Sequence, residues 1–137
     1  MTMNDKGIGF PPRIGGRGQV AGRTVGHHGP AVVALGGGHG LSMSLKALRR
    51  LTDDVTAIVG VADDGGSSGR IRSELGLPPP GDLRMALAAL CGDDAWGRTW
   101  SQVMQHRFAG EGEMAGHATG NLLIAALWEE TGNLVAG

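Results

Sequence analysis

Four glycines within Gly36-Gly37-Gly38-His39-Gly40 leave a stretch of backbone with almost no side chains to hold an anion away. Such a stretch turns tightly and approaches a phosphate, whose charge is stabilised by free N–H groups and by the positive end of a following helix dipole. The spacing is not that of a dinucleotide fingerprint. A G-x-G-x-x-G starting at Gly36 needs a glycine where Leu41 stands, and no G-K-[ST] follows as a P-loop requires. The plainer alternative is a turn that merely packs closely, but a place directly after a buried strand favours the anion site. His39 could contact a phosphate oxygen or, as loop histidines ordinarily do, face solvent.

A second candidate stretch is Asp63-Asp64-Gly65-Gly66-Ser67-Ser68-Gly69-Arg70-Ile71-Arg72. In nucleotide folds a carboxylate at the end of the second strand accepts hydrogen bonds from ribose hydroxyls, and Asp63 and Asp64 occupy that place. The Gly and Ser residues read as a mobile loop with spare donors, and Arg70 and Arg72 as bidentate phosphate ligands. By composition alone a flexible acidic hairpin explains the stretch equally well. Two glycine loops at adjacent strand ends converge on one crevice, which favours a ligand. Two further segments are weaker. In Pro78-Pro79-Pro80-Gly81-Asp82-Leu83-Arg84, helix capping accounts for Asp82 but nothing local accounts for Arg84. In His117-Ala118-Thr119-Gly120-Asn121, capping by Thr119 is the simple account of helix N-terminal donors that could also face a ligand. No Ser/His/Asp order, paired catalytic carboxylates or zinc spacing stands out, so Asp63, Asp64 and Asp82 are at most a magnesium set.

The elements that position these residues read as α/β. Ala31 to Leu35 is continuously apolar, as a strand covered on both faces of a parallel sheet would be. Leu41, Leu45 and Leu48 then recur at helical spacing, with Ser42 as the expected N-cap. Val55 to Ala62 is a second apolar, β-branched run. Strand, glycine turn, helix and strand make a βαβ unit. Beyond Asp64 the pattern turns helical, with one stripe at Leu83, Ala86, Leu87 and Leu90 and another at Trp96, Trp100, Val103, Met104 and Phe108. Leu122 to Trp128 is apolar all round and is expected to be buried. A doubly wound sheet usually has five or six strands, so two strands imply the N-terminal part of a larger Rossmann-like domain over residues 31–137.

Composition narrows the function classes. With 137 residues and a formal net charge of −1, the chain is one domain or part of one. The 26 glycines far exceed the usual ~7% and concentrate towards the N-terminus. Residues 1–30 carry four basic residues against one acidic one and lack apolar periodicity, so they are expected to form a disordered Gly/Arg-rich tail. Such a tail could touch nucleic acid, but four spaced charges without aromatics favour a solvated one. His27-His28 is too short a cluster to argue for a metal. No apolar run approaches the roughly 18 residues that span a bilayer. The single Cys91 and the lack of a secretory pattern make the cytoplasm the expected compartment.

Taken together, VVALGGGHGL, VADDGGSSGRIRSELGLPPPGDLRMALAAL and HATGNLLIAAL resemble the YvcK (GlmR) family of gluconeogenesis factors, in the CofD-like superfamily. The resemblance covers about residues 31–130 and implies a Rossmann-like α/β fold that binds a nucleotide-type ligand. For the YvcK branch it implies a regulator of cell shape and envelope-precursor supply that binds a uridine-diphosphate amino sugar and acts on a partner enzyme. For the CofD branch it implies a 2-phospho-L-lactate transferase using magnesium. The stretch DDGGSSGRIR is similar to the first branch. Carried over by position, Gly36 to Gly40 and Asp63 to Arg72 (Ile71 excepted) are the implied ligand contacts, with Asn121 of the GNLL segment as a further one. Family members are considerably longer, which agrees with the short strand count and leaves an inactive truncated form as the remaining alternative.

Overall fold

The structure is a computed structural model that describes residues 29–135. Apart from Gly29 and Pro30, the expected N-terminal tail, including His27-His28, lies outside the described residues. The order is β1 (Val32–Gly36), α1 (Gly38–Leu48), β2 (Val55–Val59), α2 (Gly66–Leu75), α3 (Gly81–Leu90), α4 (Ala95–Gln105) and α5 (Thr119–Thr131). The two strands are parallel, with Val32 opposite Val55 and Gly36 opposite Val59. Because α1 must carry the chain back along the sheet, the glycines at the end of β1 lie beside the residues that leave β2. The expected βαβ unit is present.

Helices α1 and α3 pack side by side on one face of this sheet. Leu41 and Leu45 of α1 meet Ala86 and Ala89 of α3 there, over Ala34, Val55, Ala57 and Val59. The alanines of α3 allow the close approach. Helix α4 packs on α3 and α5, and α2 packs on α5, so the later helices build outward from α3 instead of covering the other face. Val33, Leu35 and Ile58 on that face are 61%, 74% and 52% exposed. The expectation of strands covered on both faces therefore holds for one face only.

Several local expectations are corrected. Helix α1 starts at Gly38 with Gly37 as N-cap, and Ser42 is buried inside it. The expected mobile loop after Asp64 is largely the helix α2, whose Ser67, Ser68 and Ile71 are buried. Asp63 Oδ1 accepts from the Gly65 N–H at 3.1 Å and so shapes the turn into that helix. Helix α3 begins at Gly81 after Pro80, so Asp82 sits in its first turn and is not its cap. Its buried stripe is Arg84, Ala86, Ala88 and Ala89, while Leu87 is exposed. Helix α4 ends before Phe108, and Trp96 stacks edge-on with Trp100 on an exposed face. Helix α5 has Ala118 as N-cap, without a side-chain cap. Its buried stripe Gly120, Asn121, Ile124, Ala125 and Trp128 follows helical spacing and leaves Leu123 and Leu127 outside, so the helix is one-sided.

The core makes a direct comparison available. Leu45→Ala, at a residue fully buried between α1 and α3, is expected to destabilise by about 2–5 kcal/mol, whereas Leu87→Ala, at an exposed leucine of α3, should cost less than about 1 kcal/mol. Urea unfolding of the two variants, compared at equal m-value, measures the difference.

Candidate functional site

Among the described residues a crevice of about 640 Å3 opens at the glycine end of α1. Gly38 and His39 border it from α1 and Asp63 from the segment after β2, with Asp82 and Arg84 from α3 and Arg107 from the segment after α4. Each element brings its residue for a local reason. The β1–α1 turn needs residues that tolerate unusual backbone angles and close neighbours. Gly38 has φ +57°, in the left-handed region that favours glycine. A Cβ on Gly37 would stand 2.2 Å from Asp82 Oδ2.

That contact reflects the central feature of the site. Asp82 Oδ1 accepts from the Gly38 N–H at 2.9 Å. A carboxylate from α3 thus sits at the start of α1, where the turn's free donors and the helix dipole favour negative charge. The reading of Asp82 as a simple helix cap is replaced by a bridge between α3 and the glycine turn. Asp63 and Asp82 put two carboxylates on the crevice, facing the cations Lys46, Arg84 and Arg107. Arg84 is almost entirely buried, and its pKa is lowered first by that burial and next by Arg107, while Asp63 and Asp82 act in the opposite direction. Its guanidinium stays charged and must therefore be hydrogen-bonded. It donates through Nε to Asn121 Oδ1 at 2.9 Å and through Nη1 to Gln105 Oε1.

The expected contacts fall into three groups in space. Gly38, His39 and Asp63 border the crevice, and Gly36 and Gly37 form the turn beneath it. Gly36 O accepts from the Gly60 N–H at 2.8 Å, which ties that turn to the end of β2, and Gly40 lies exposed on the first turn of α1. Ser67, Ser68 and Asn121 form a buried frame. Asn121 Nδ2 donates to Ser67 Oγ at 3.1 Å and Ser68 Oγ at 3.3 Å, so this side chain connects α2, α3 and α5. The third group points elsewhere. Arg70 donates to the carbonyls of Glu113 and Ala115 at 2.9 and 2.7 Å, and with His117 it lines a separate cleft. Asp64, Gly65, Gly66 and Arg72 are exposed, Gly69 is half-buried, and none of these five borders the crevice.

Sequence reading missed Lys46, Gln105 and Arg107. Lys46 carries no local signal beyond its place on the polar side of α1. Arg107 is brought in by the pairing of its own segment with Ala118, just before α5. Arg84 did carry a signal, since a cation within the apolar run Leu83 to Leu90 needs a polar partner wherever that helix is buried.

A family model described as 2-phospho-L-lactate transferase CofD matches residues 32–137. The chain belongs to the CofD family. Within it, the chain is 64% identical over 107 residues to a protein of Mycobacterium leprae named "Putative gluconeogenesis factor". It is 48% identical over 104 residues to the gluconeogenesis factor of Bacillus subtilis. These alignments take in 78% and 76% of this chain, which spans about 30% and 32% of the length of those relatives. A crystal structure of a Bacillus halodurans protein superposes with a TM-score of 0.70 at 47% identity, over 77% of this chain and 33% of that one. The α/β arrangement described above is therefore the fold of the matching part of a CofD-family protein. Among the described residues no helix is long and apolar enough to cross a membrane, and no three His, Cys, Asp or Glu side chains converge on a metal position.

The buried frame carries its own pH dependence. Ser67 Oγ accepts from Asn121 Nδ2 and from the Ala118 N–H at 3.3 Å, so its single proton is donated to His117 Nδ1 at 3.0 Å. Burial, and then the Arg70 cation, lower the His117 pKa, with Glu74 opposing. Below the ordinary pKa of about 6.5 the unfolded chain binds a proton that the folded chain refuses. Stability is therefore expected to fall as the pH drops from about 6.5 towards the lowered folded value, and to level off below it. His117→Gln should flatten that fall, seen as a smaller difference between unfolding midpoints at pH 7 and pH 5.

Proposed function

We propose that residues 31–137 are the N-terminal part of a CofD-like nucleotide-binding domain, and that the crevice at the glycine turn takes a uridine-diphosphate sugar. The observation that carries this reading is the convergence of Gly38, Asp63, Asp82, Arg84 and Arg107 from separate elements on one crevice. Its volume lies within the roughly 300–1,000 Å3 usual for small-molecule sites. Mixed charge suits a ligand with both hydroxyls and a diphosphate. Asp63 and Asp82 accept from hydroxyl groups, while Lys46 and Arg107 meet the diphosphate and the buried Arg84 adds positive charge beneath it. With a carboxylate already on Gly38 N–H, the glycine turn positions Asp82 and leaves the diphosphate chiefly to the cations.

In this reading the protein is a non-catalytic cytoplasmic regulator that senses a nucleotide sugar and acts on an enzyme of envelope-precursor supply, with consequences for cell shape. The names of the gluconeogenesis-factor relatives support a regulatory class. A transferase with magnesium is the second reading, favoured by the description of the family model. Asp63 and Asp82 fit that ion as far as donor chemistry goes, since magnesium is commonly held by one or two carboxylates together with phosphate oxygens and water. When bound it would neutralise phosphate charge.

Calorimetric titration of uridine-diphosphate N-acetylglucosamine tests the proposal. Gly37→Val, whose side chain would collide with Asp82, should weaken binding at least tenfold, and Arg107→Gln should do the same by removing a diphosphate contact. Equal affinity of both variants and the parent, with melting curves unchanged, would remove the crevice from the binding site. Turnover of a phospholactyl donor that depends on magnesium and is lost in Asp63→Asn would instead favour the transferase.

A further inference from the structure

Where the glycine crevice lies at the N-terminal end of α1, a second depression of about 230 Å3 lies at its C-terminal end. Lys46, Arg49, Arg50 and Arg98 border it, with Cys91 and a single carboxylate, Asp93. Four cations thus face one anion. The ends of α1 and α3 contribute negative half-charges nearby, but two of these offset only about one cation, and the depression stays positive.

The cations are not equivalent. Arg49 Nη1 donates to Ala89 O at 3.2 Å and lies 3.8 Å from Asp93 Oδ1, an exposed ion pair of little net strength. Arg98 Nη1 donates to the carbonyl of Asp93. These bonds hold two planar guanidiniums at the rim, each with N–H donors to spare. The side chains of Lys46 and Arg50 have no hydrogen-bond or ion-pair partner among the described residues. Preorganised forks next to unpaired cations are the arrangement that binds a compact tetrahedral anion.

We propose that this depression is a second anion site, taking a phosphoryl group of a small phosphorylated compound or of inorganic phosphate. Its volume falls below the roughly 300 Å3 at which sites for drug-sized ligands begin, so a whole nucleotide sugar does not fit while a compact phosphate does. The assignment does not depend on what the glycine crevice binds. Lys46 borders both depressions, which gives charge at one end of α1 a physical route to influence the other.

Cys91 makes the test specific, because it is the chain's single cysteine and borders this depression half-buried. Its alkylation by iodoacetamide is followed while inorganic phosphate or glycerol 3-phosphate is titrated at constant ionic strength set with sodium chloride. Saturable protection is expected, with an apparent affinity at least tenfold weaker in the Arg50→Gln/Arg98→Gln double variant and unchanged in Arg107→Gln, whose side chain borders the glycine crevice and not this depression. Arg50→Gln alone, at an exposed side chain without a partner, should weaken protection several-fold and guards against misfolding of the double variant. Stronger protection by glycerol 3-phosphate than by phosphate would identify a phosphorylated compound as the ligand, and the reverse would identify the free ion. Absence of protection, protection matched by chloride alone, or protection unaltered in both Arg50 variants would overturn the proposal.

Discussion

The buried amide of Asn121 is the interaction on which the helical layer depends. Its oxygen accepts from Arg84 of α3 and its nitrogen donates to Ser67 and Ser68 of α2, while its backbone belongs to α5. An amide supplies one acceptor and two donors in fixed directions, so a single side chain settles how three helices sit. Each of these partners is itself buried, and a buried polar group without a partner costs about 1–3 kcal/mol, more when charged. Against a net stability of about 5–15 kcal/mol, such a network excludes most other packings of the same helices. No buried side-chain polar atom among the described residues is left without a partner.

The frame also explains the position of the crevice charges. Arg84 is held from behind by Asn121 and Gln105 through its Nε and Nη1, so its charge acts beneath the crevice. Asp82, two residues earlier on α3, reaches the glycine turn instead. One helix therefore joins the buried frame to the turn at the end of β1. A cation below and a carboxylate above leave the crevice mixed in charge, unlike the positive depression at the far end of α1.

The sheet is one-sided in a way its residues do not suggest. Val33, Leu35 and Ile58 are the β-branched and aliphatic types that a parallel sheet ordinarily buries, yet α1 and α3 cover only the opposite face. The chain spans about 30% of the length of the Mycobacterium leprae relative it matches.

The βαβ unit was legible from sequence because an apolar run, a glycine cluster, a 3.6-residue stripe and a second apolar run each follow from local periodicity. The family was legible too, since its motifs are contiguous stretches of chain. The roles of single polar residues were not. Neither the bond of Asp82 to Gly38 nor those of Arg70 to two carbonyls could be read locally, because local sequence shows which groups an element carries and not which distant carbonyl or amide they will meet. Arg70 meets the carbonyls of Glu113 and Ala115, and Asp82 meets Gly38, across separations of more than 40 residues. Sequence alone determined the βαβ unit and the helical stripes after it, though not helix α2, because backbone preference and apolar spacing act over a few residues. Only tertiary structure decided which charges face the crevice, because a buried polar group takes the partner that packing places within hydrogen-bond reach.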